Sequence, residues 1–413
     1  MLKLLAKLED PSRPLLGPNV KALKFWGLLL PDNVLLRIFY LLMHFAVTVF
    51  TATEYVDVWY VKSDLNLLLN NLKITMLATV SVCKVTTFLC WQKHWKSVID
   101  YVTKADLYQR NTEDETKIVM INRFTAYCRK ITYFYWSLMY TTVLIVMTQP
   151  IYMYFSSEIY RENVRNGTGT YLEVVSSWVP FSKTSIPGYL AASAYQSYAA
   201  IYGGGWITSF DTNAIVIMVF FKAELELLKL DSASIFGTEA KPLSDEKALE
   251  RLKQFQRRHI ELIKFAGVFD ACLSPIMLLY MFVCSVMLCV TAYQITIETN
   301  PMQRFLTTEY LVFGVAQLFM YCWHGNEVSY ASLSLQHGPY ESLWYHRNIT
   351  CRKNLYILTA QYTKKIVFTA GPFAKLTVDT FISLPEWVFP NEYSLGIFKS
   401  RVNRFLLGER APP

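Results

Sequence analysis

Histidine and cysteine are the residue types here that most often carry chemistry, so their spacing is considered first. The six histidines are scattered along the sequence, without the HExxH pattern of a zinc protease, and the GxSxG pattern of a serine nucleophile is missing. The eight cysteines include no CxxC pair, the spacing of a zinc or redox site. The sequence therefore predicts that the chain is not an enzyme and uses neither a metal nor a cofactor.

The composition indicates a membrane protein rather than a soluble one. Hydrophobic residues make up 53% of the 413 residues and aromatic residues 15%. Charged residues make up only 17%, compared with about 25% in soluble domains. We expect an all-α, polytopic membrane protein that contacts the lipid bilayer and does not bind nucleic acid.

Apolar segments place the elements of this protein. A bilayer crossing needs about 20 apolar residues, and seven stretches of the chain approach or exceed this length. The fourth and fifth are long enough to continue as helix outside the lipid, and the periodicity of residues 223–264 also predicts a helix. Six clear apolar segments are 34–53, 65–90, 131–153, 188–222, 265–297 and 306–326. A seventh, 354–384, is interrupted by Lys364-Lys365 and by Gly371-Pro372, and neither part is long enough to span alone.

The distribution of Lys and Arg predicts the orientation. Loops on one side of the predicted bundle, together with the first 33 residues, hold 24 of these residues, and the opposite loops hold 5. Because Lys and Arg accumulate on the cytosolic side, the N-terminus should be cytosolic. The sequon at Asn166 then lies outside the cell, where glycosylation can occur, and the sequon at Asn348 lies inside.

This orientation and the motif content separate several classes of membrane protein. A cytosolic N-terminus is inverted relative to G-protein-coupled receptors, and the Asp/Glu-Arg-Tyr and Asn-Pro-x-x-Tyr motifs of those receptors are missing. A secondary transporter should show internal repeats and interrupted helices, and we find no repeat. Gly203-Gly204-Gly205 interrupts the fourth segment, where a close contact between helices is the favoured explanation. A multi-pass transporter remains the alternative to a ligand receptor or channel.

Three blocks near the carboxyl end carry a family resemblance. They read YCWHGNEVSYASLSL from Tyr321 to Leu335, YESLWY from Tyr340 to Tyr345, and FTAGPFAKLTVDTF from Phe368 to Phe381. In this order they resemble the signature motifs of the insect odorant receptor family. The seven segments and the inverted orientation extend the resemblance over nearly the whole chain.

The resemblance implies an odorant-gated, non-selective cation channel in the cell membrane of olfactory neurons. The subunit would combine with an obligate coreceptor in a heterotetramer around a central pore. It would meet its partners through a cytosolic anchor built from the inner ends of helices four to six and the first part of helix seven. Anchor residues expected from the motifs are Trp323, His324, Asn326, Glu327, Tyr340, Trp344 and Tyr345.

The family's odorant pocket lies within the outer half of each subunit, and its pore is lined by the end of helix seven. An aromatic and methionine lining suits volatile apolar ligands. By topology, the expected pocket residues are Ile74, Thr75, Ala78, Tyr140, Leu144, Met147, Tyr195, Gln196, Tyr310, Phe313 and Gln317. The expected pore residues are Leu376, Thr380, Phe381 and Leu384.

The carboxyl-terminal tail departs from the family pattern. After Leu384 the family continues as an apolar helix, whereas here Pro385, Pro390, four Lys/Arg and three Glu follow. A proline inside a helix costs about 3 kcal/mol or more, so we expect the helix to stop near Leu384. The chain would then be a receptor variant that binds the coreceptor and conducts poorly. The alternative is that Glu386 to Phe398 re-forms a kinked outer turn that still lines the pore mouth.

These expectations divide the chain into seven regions. Membrane helices alternate with cytosolic regions, and the tail stands apart. The predicted regions are the cytosolic segment 1–33, helices one to four in 34–222, the cytosolic helical loop 223–264, helices five and six in 265–326, the anchor 327–371, the start of the pore helix in 372–384 and the tail 385–413.

Overall fold

The computed structural model describes residues 8–167, 169–238, 241–297 and 301–388, and these residues are mostly helical. The helices are α1 (Gly17–Phe25), α2 (Val34–Tyr60), α3 (Leu65–Cys90), α4 (Gln92–Arg110), α5 (Glu115–Ser156), α6 (Glu158–Arg165), α7 (Ile186–Ala233), α8 (Asp245–Ile297), α9 (Pro301–Ser334), α10 (His337–Glu341), α11 (Ile349–Tyr362) and α12 (Val378–Val388), with a 3-10 turn at Trp344–His346. The predicted all-α class is confirmed.

Two short antiparallel ribbons are the only strands in the part of the chain that the structure describes. Strand β1 (Gly237–Thr238) pairs with β2 (Lys241–Pro242) in the connection between α7 and α8. Strand β3 (Thr369–Ala370) pairs with β4 (Ala374–Lys375) ahead of α12.

Helix α7 forms the centre of the bundle. Every residue from 204 to 221 is buried, so this part of the helix has neighbours on all sides. Helices α1, α2, α3, α5, α9 and α10 each pack against it. Side chains on α7 can therefore reach most other elements of the bundle.

Helix α2 lies at the edge of the bundle and exposes a long apolar face. Leu35 is 80% exposed, and Phe39, Leu42 and Phe45 are also exposed. Such a surface is unfavourable in water and suits the hydrocarbon of a bilayer. By length and composition, four of the described helices could cross a membrane: Val34–Tyr60, Leu67–Cys90 within α3, Glu115–Ser156 and Asp245–Ile297.

The region 223–264 is largely helical, as its periodicity predicts. Helix α7 continues to Ala233 and α8 begins at Asp245. The β1–β2 ribbon occupies the connection. Both helices therefore extend well beyond the predicted apolar segments.

The three glycines at 203–205 do not interrupt α7, which is continuous through them. A Cβ atom at Gly205 would overlap the indole ring of Trp26, and one at Gly204 would lie 2.5 Å from the Met139 Cε atom. The predicted close contact is confirmed, and it brings α5 and the segment after α1 against α7.

Residues 8–33 are more structured than a simple cytosolic lead segment. Helix α1 buries Val20 and Leu23 in the main core, and Trp26 packs edge-on against Tyr202 of α7. Apolar side chains in this segment thus supply part of the bundle's core.

Ahead of α12, the β3–β4 ribbon attaches the chain to α8. Gly371, at the turn of the ribbon with φ 64°, donates its N–H to the carbonyl oxygen and the Oγ atom of Ser274, at 3.1 and 2.8 Å. The Thr369 N–H donates to Asp270 Oδ1 at 2.7 Å. Ser274 precedes Pro275, the proline inside α8.

Helix α12 differs from the expected pore helix at both ends. It begins at Val378 rather than 372, because residues 369–376 pair in and around the ribbon and the Thr377 Oγ1 atom accepts the Thr380 N–H at 3.4 Å. It also continues through Pro385 to Val388. The expected end at Leu384 is wrong, since a proline removes one donor without stopping this helix.

Candidate functional site

Three expected pocket residues lie on the inner face of α9. Tyr310, Phe313 and Gln317 are three and four residues apart, the spacing of neighbours on one helix face. The Tyr310 hydroxyl donates to the Lys73 carbonyl on α3 at 2.8 Å. The Phe313 ring lies 5.9 Å from the ring of Tyr135 on α5. This face of α9 therefore looks into the bundle.

The side chain of Asp211 on α7 is the centre of a buried polar cluster, which includes the Tyr135 that faces Phe313. Its Oδ1 atom lies 2.6 Å from Lys84 Nζ and accepts the Tyr321 hydroxyl at 2.6 Å. Its Oδ2 atom accepts the Tyr135 hydroxyl at 2.9 Å and a bond from Gln317 Nε2. The carboxylate thus has four donors from three neighbouring helices, α3, α5 and α9.

Both charges of this cluster are removed from solvent. The side chains of Lys84 and Asp211 are 1% and 0% exposed. The Lys84 Nζ atom also lies 4.8 Å from the Tyr280 ring centroid, a cation–π contact with α8. A buried ion pair is tolerated only when further hydrogen bonds satisfy it, as they do here. We name Lys84, Tyr135, Asp211, Gln317 and Tyr321 the Asp211 cluster.

The spacing of apolar segments did not predict the Asp211 cluster, apart from Gln317. Its signal in the sequence is a charged residue inside an otherwise apolar segment, Lys84 in the second and Asp211 in the fourth. Such residues are costly in a membrane unless they are paired, and they often mark functional positions.

Two further expected pocket residues meet in a small apolar cluster between α3 and α7. Ile74 and Tyr195 pack against Phe50, Val175 and Ala199. The Tyr195 ring meets Phe50 edge-on at 5.2 Å, and its hydroxyl donates to the Ala46 carbonyl at 2.8 Å. The Tyr195 hydroxyl is therefore already bonded to α2.

Gln196 is held by the connection between α6 and α7. Its amide oxygen accepts the Val174 N–H at 3.1 Å, and its amide nitrogen donates to Glu173 Oε2 at 2.6 Å and Ser177 Oγ at 3.1 Å. These bonds occupy both ends of the amide. The expected role in orienting a ligand does not fit this geometry, in which Gln196 fastens the connection to the bundle.

The remaining expected pocket residues do not pack with either of these two groups. Tyr140 and Leu144 are exposed on α5, the latter by 60%, so they do not line an enclosed space within the chain. The Thr75 hydroxyl donates to the Asn71 carbonyl of its own helix at 2.9 Å. Ala78 and Met147 are half-buried. The structure therefore groups Tyr310, Phe313 and Gln317 on α9 and, in a separate cluster, Ile74 with Tyr195. Tyr140 and Leu144 of α5 belong to neither group.

Two of the four anchor residues at the end of α9, His324 and Glu327, have polar partners on neighbouring helices. His324 Nε2 lies 3.2 Å from the Tyr127 hydroxyl of α5, and Glu327 pairs with Lys222 of α7. Trp323 is exposed beside Phe319, and Asn326 is half-buried.

Further along α7, a buried group of charges joins α7 to α8. Arg258 lies 2.6 Å from both Glu224 Oε1 and Asp231 Oδ2, and Gln109 Nε2 donates to Glu224 at 3.1 Å. Nearby, the Ser232 and Tyr362 hydroxyls are 3.0 Å apart. Burial raises the pKa of the Tyr362 phenol, so it stays protonated.

Aromatic residues after α9 face outward. Tyr340 is 75% exposed, Tyr345 is exposed, and Trp344 is half-buried. Helix α9 ends at Ser334, and α10 begins again at His337, where a Cβ atom at Gly338 would lie 2.5 Å from the Lys229 carbonyl oxygen. This close approach holds α10 against α7 and leaves Tyr340 and Tyr345 at the surface, while Trp344 packs against the core.

The expected pore residues occupy different settings. Leu376 precedes α12 and is fully buried, and a Cβ atom at Gly325 would lie 2.5 Å from its carbonyl oxygen. Phe381 packs edge-on against Phe319 of α9 at 5.3 Å. Thr380 is half-buried in the first turn of α12, and the side chain of Leu384 lies outside the described residues.

Asn166, the expected glycosylation site, directly follows α6 and is exposed. Thr168 of its sequon lies outside the described residues.

Comparison with known proteins identifies relatives in several insects. The chain is 23% identical over 325 residues to odorant receptor 13a of Drosophila melanogaster, covering 71% of this chain and 73% of that protein. It is 24% identical over 133 residues to odorant receptor Or2 of Anopheles gambiae, covering 32% of this chain and 35% of that protein. It is 25% identical over 134 residues to the odorant receptor coreceptor of Aedes aegypti, covering 32% and 28%. The chain thus spans about a third of the length of these two mosquito relatives.

The fold and a family model agree with these similarities. The olfactory receptor OR5 of Machilis hrabei, solved in complex with eugenol, superposes with a TM-score of 0.76 at 16% identity, covering 97% of this chain and 100% of that one. The model of the 7tm odorant receptor family matches residues 64–388, which is most of the chain. This multi-pass membrane protein belongs to the insect odorant receptor family.

Proposed function

We propose that this chain is an odorant-binding subunit that gates a non-selective cation channel together with a coreceptor. The odorant would be a volatile, mainly apolar molecule held against the inner face of α9 and the cluster around Tyr195. Dispersion contacts with Tyr310 and Phe313 would supply affinity, and the edge of the Asp211 cluster would supply polar contacts.

The observation that carries this proposal is the double contact of α9. One part of the helix presents Tyr310, Phe313 and Gln317 to the bundle interior. Two residues past Gln317, Phe319 packs against Phe381 of α12, the proposed pore helix. A ligand that shifts this part of α9 would therefore shift the surface against which α12 rests.

We further propose seven membrane helices, namely α2, α3, α5, α7, α8, α9 and the pore helix that α12 begins, with the N-terminus in the cytosol. The Lys/Arg asymmetry supports this orientation, and it leaves α4, α10 and α11 on the cytosolic side. The protein would lie in the dendritic membrane of olfactory neurons.

Epitope tags test this orientation. We expect tags at the N-terminus and in the 234–244 connection to be inaccessible to antibody on intact cells, since both are predicted to be cytosolic. A tag beside Asn166 should be labelled on the same cells, and glycosidase should shift the protein only when Asn166 is present. Labelling of an N-terminal tag on unpermeabilised cells would contradict the orientation.

The proposed contact with the coreceptor is the cytosolic surface formed by α10, the 3-10 turn and α11. This surface exposes Tyr340, Tyr345, Ile349 and Tyr356, an apolar and aromatic set of the kind enriched at interfaces. The ion pairs of Arg258 with Glu224 and Asp231 would hold the helices beneath it in place.

Recording of currents tests the channel function. We expect odorants, with eugenol included among them, to evoke a cation current only when the coreceptor is co-expressed, and without G-protein components.

The current should be small, because residues 385–413 lack the family's apolar ending. The structure of residues 389–413 lies outside the described residues, so the test is an apolar family ending grafted after Leu384, which should enlarge the current. Full-sized currents from the unmodified chain would contradict the tail hypothesis alone; a response without the coreceptor would contradict the channel proposal.

Phe313→Ala tests the position of the odorant. We expect it to reorder the potencies of a set of odorants, because the ring faces Tyr135 in the bundle interior. Phe305→Ala is the matched control on the same helix, since Phe305 is exposed, and it should leave the ranking unchanged. Loss of surface protein with an unchanged ranking would show that Phe313 only packs, at a cost of about 3–5 kcal/mol.

A further inference from the structure

A cavity lies at the edge of the bundle, and none of the expected odorant-pocket residues lines it. It is a cleft of ≈ 470 Å³ between residues 13–32, the start of α2 and the first half of α4. Ligand pockets commonly span about 300–1,000 Å³, so this volume can hold a small polar group. We name this cavity the α1–α4 cleft.

The charged residues around the α1–α4 cleft favour an anion. Arg13, Lys24 and Lys96 line it together with Asp32 and Asp100. Arg13 Nη2 lies 3.2 Å from Asp100 Oδ1, so this acid is already paired. Lys24 and Lys96 are both exposed, and no hydrogen bond or ion pair is found for either among the described residues. Two lysines are therefore available to a ligand, against the single carboxylate of Asp32.

The position of the cleft points to a lipid rather than to a soluble anion. One wall is the first turns of α2, which contribute Leu36 and Tyr40. From here α2 continues as the exposed apolar face that includes Phe39 and Leu42, and Phe25, beside Lys24, is also exposed. Charged side chains next to an apolar, lipid-facing helix lie at the level of the phospholipid headgroups.

We propose that the α1–α4 cleft binds the phosphate-bearing headgroup of an anionic phospholipid. Lys24 and Lys96 contact the phosphate, and the acyl chains lie along the exposed face of α2 beyond Leu36. The proposed orientation places this cleft at the cytosolic leaflet. Binding itself does not depend on that orientation, because a detergent or nanodisc sample offers lipid to both sides of the protein.

A phospholipid headgroup bound in the α1–α4 cleft would contact three helices, α1, α2 and α4. The cleft joins α1, α2 and α4, and the segment that follows α1 places Trp26 against Gly205 of α7. A bound headgroup would thus hold the amino-terminal segment on the bundle through electrostatic contacts in addition to the packing of Trp26.

Native mass spectrometry of the purified full-length chain tests the proposal. Phosphatidylinositol 4,5-bisphosphate and phosphatidylcholine are titrated separately, and we expect selective adducts of the former. Lys24→Glu with Lys96→Glu should weaken this binding at least about tenfold, because each lysine near a membrane surface contributes attraction for anionic lipid. Lys247→Glu with Lys253→Glu, an equal charge change at exposed positions of α8, is the control and should bind as the unmodified chain does.

Each outcome decides the proposal. Equal binding by the cleft variant and the α8 control would overturn it. If soluble inositol trisphosphate binds as tightly as the lipid, the cleft is a site for a free phosphate and the membrane assignment fails. If the Glu variant does not fold, Lys24→Gln with Lys96→Gln removes the charge without reversing it, and unchanged lipid binding by that variant would also overturn the proposal. Odorant responses play no part in this measurement, so its failure leaves the proposed channel function untouched.

Discussion

Asp211→Leu is expected to remove most folded protein from the cell surface. The change leaves the Lys84 ammonium buried without its carboxylate and removes the acceptor shared by Tyr135, Gln317 and Tyr321. Removing one partner of a buried ion pair typically costs about 3–5 kcal/mol. This is a large fraction of the 5–15 kcal/mol by which proteins are usually stable.

The reciprocal change should be milder. Lys84→Met leaves the Asp211 carboxylate with three neutral donors, whereas Asp211→Leu leaves Lys84 only ring contacts such as that with Tyr280. Lys84→Met with Asp211→Asn removes both charges and keeps an acceptor, so it should recover surface protein relative to Asp211→Leu. Surface biotinylation and thermal unfolding followed by size-exclusion chromatography measure the series.

A partly exposed ion pair supplies the control for this series. Lys183 Nζ lies 2.7 Å from Glu173 Oε1 with both side chains partly solvated, and Lys183→Met should cost at most about 1 kcal/mol. If Asp211→Leu is tolerated as well as Lys183→Met, the Asp211 cluster does not stabilise the bundle and our account of it is wrong.

The second large effect is expected from Gly→Ala substitutions at positions 203–205. The change in the free energy of unfolding should differ sharply from one of these positions to the next. Gly205→Ala places a Cβ atom on the Trp26 indole, which is rigid and buried, so we expect a loss of about 1–3 kcal/mol from overpacking. Gly204→Ala meets the terminal methyl group of Met139, which can rotate away, and lies 3.1 Å from the Val143 Cγ2 atom, so it should cost less than Gly205→Ala.

Gly203 provides the matched control in the same helix. No atom lies within 4 Å of a Cβ added there, so Gly203→Ala should be neutral or stabilise α7 by about 0.5–1 kcal/mol through helix propensity. Thermal stability of the purified variants measures the order. Equal effects at Gly203 and Gly205 would refute the close approach of Trp26.

The sequence predicts those features that depend on local pattern. Apolar run length and periodicity identify the long helices, including the extension of α7 and α8 beyond their apolar segments, because helix formation follows from residues near in sequence. The choice of a close contact for Gly203-Gly204-Gly205 succeeds for a related reason. In a membrane, small residues usually mark positions where helices approach.

Features that depend on distant pairing were not predicted. Lys84 and Asp211 are 127 residues apart, and the sequence does not show which buried charge meets which. From sequence alone, Gln196 is predicted to orient a ligand in the pocket, because its bonds to residues 173–177 appear only in the structure. The late start of α12 follows from the pairing of β3 with β4 and from its attachment to Ser274, which no local propensity encodes.

The attachment of the β3–β4 ribbon at Ser274 places it at the one proline inside α8. Proline removes one backbone hydrogen bond of the helix, so a long helix bends there more readily than elsewhere. With Pro275 as a pivot, the 22 residues to Ile297 form a lever arm about 33 Å long. A bend of about 5° then displaces the far end by about 3 Å, while the ribbon at the pivot hardly moves. The β3–β4 ribbon, which leads the chain into α12, is thus attached at the point where α8 would bend. A large displacement of the far end of α8 would therefore produce only a small rotation at the ribbon.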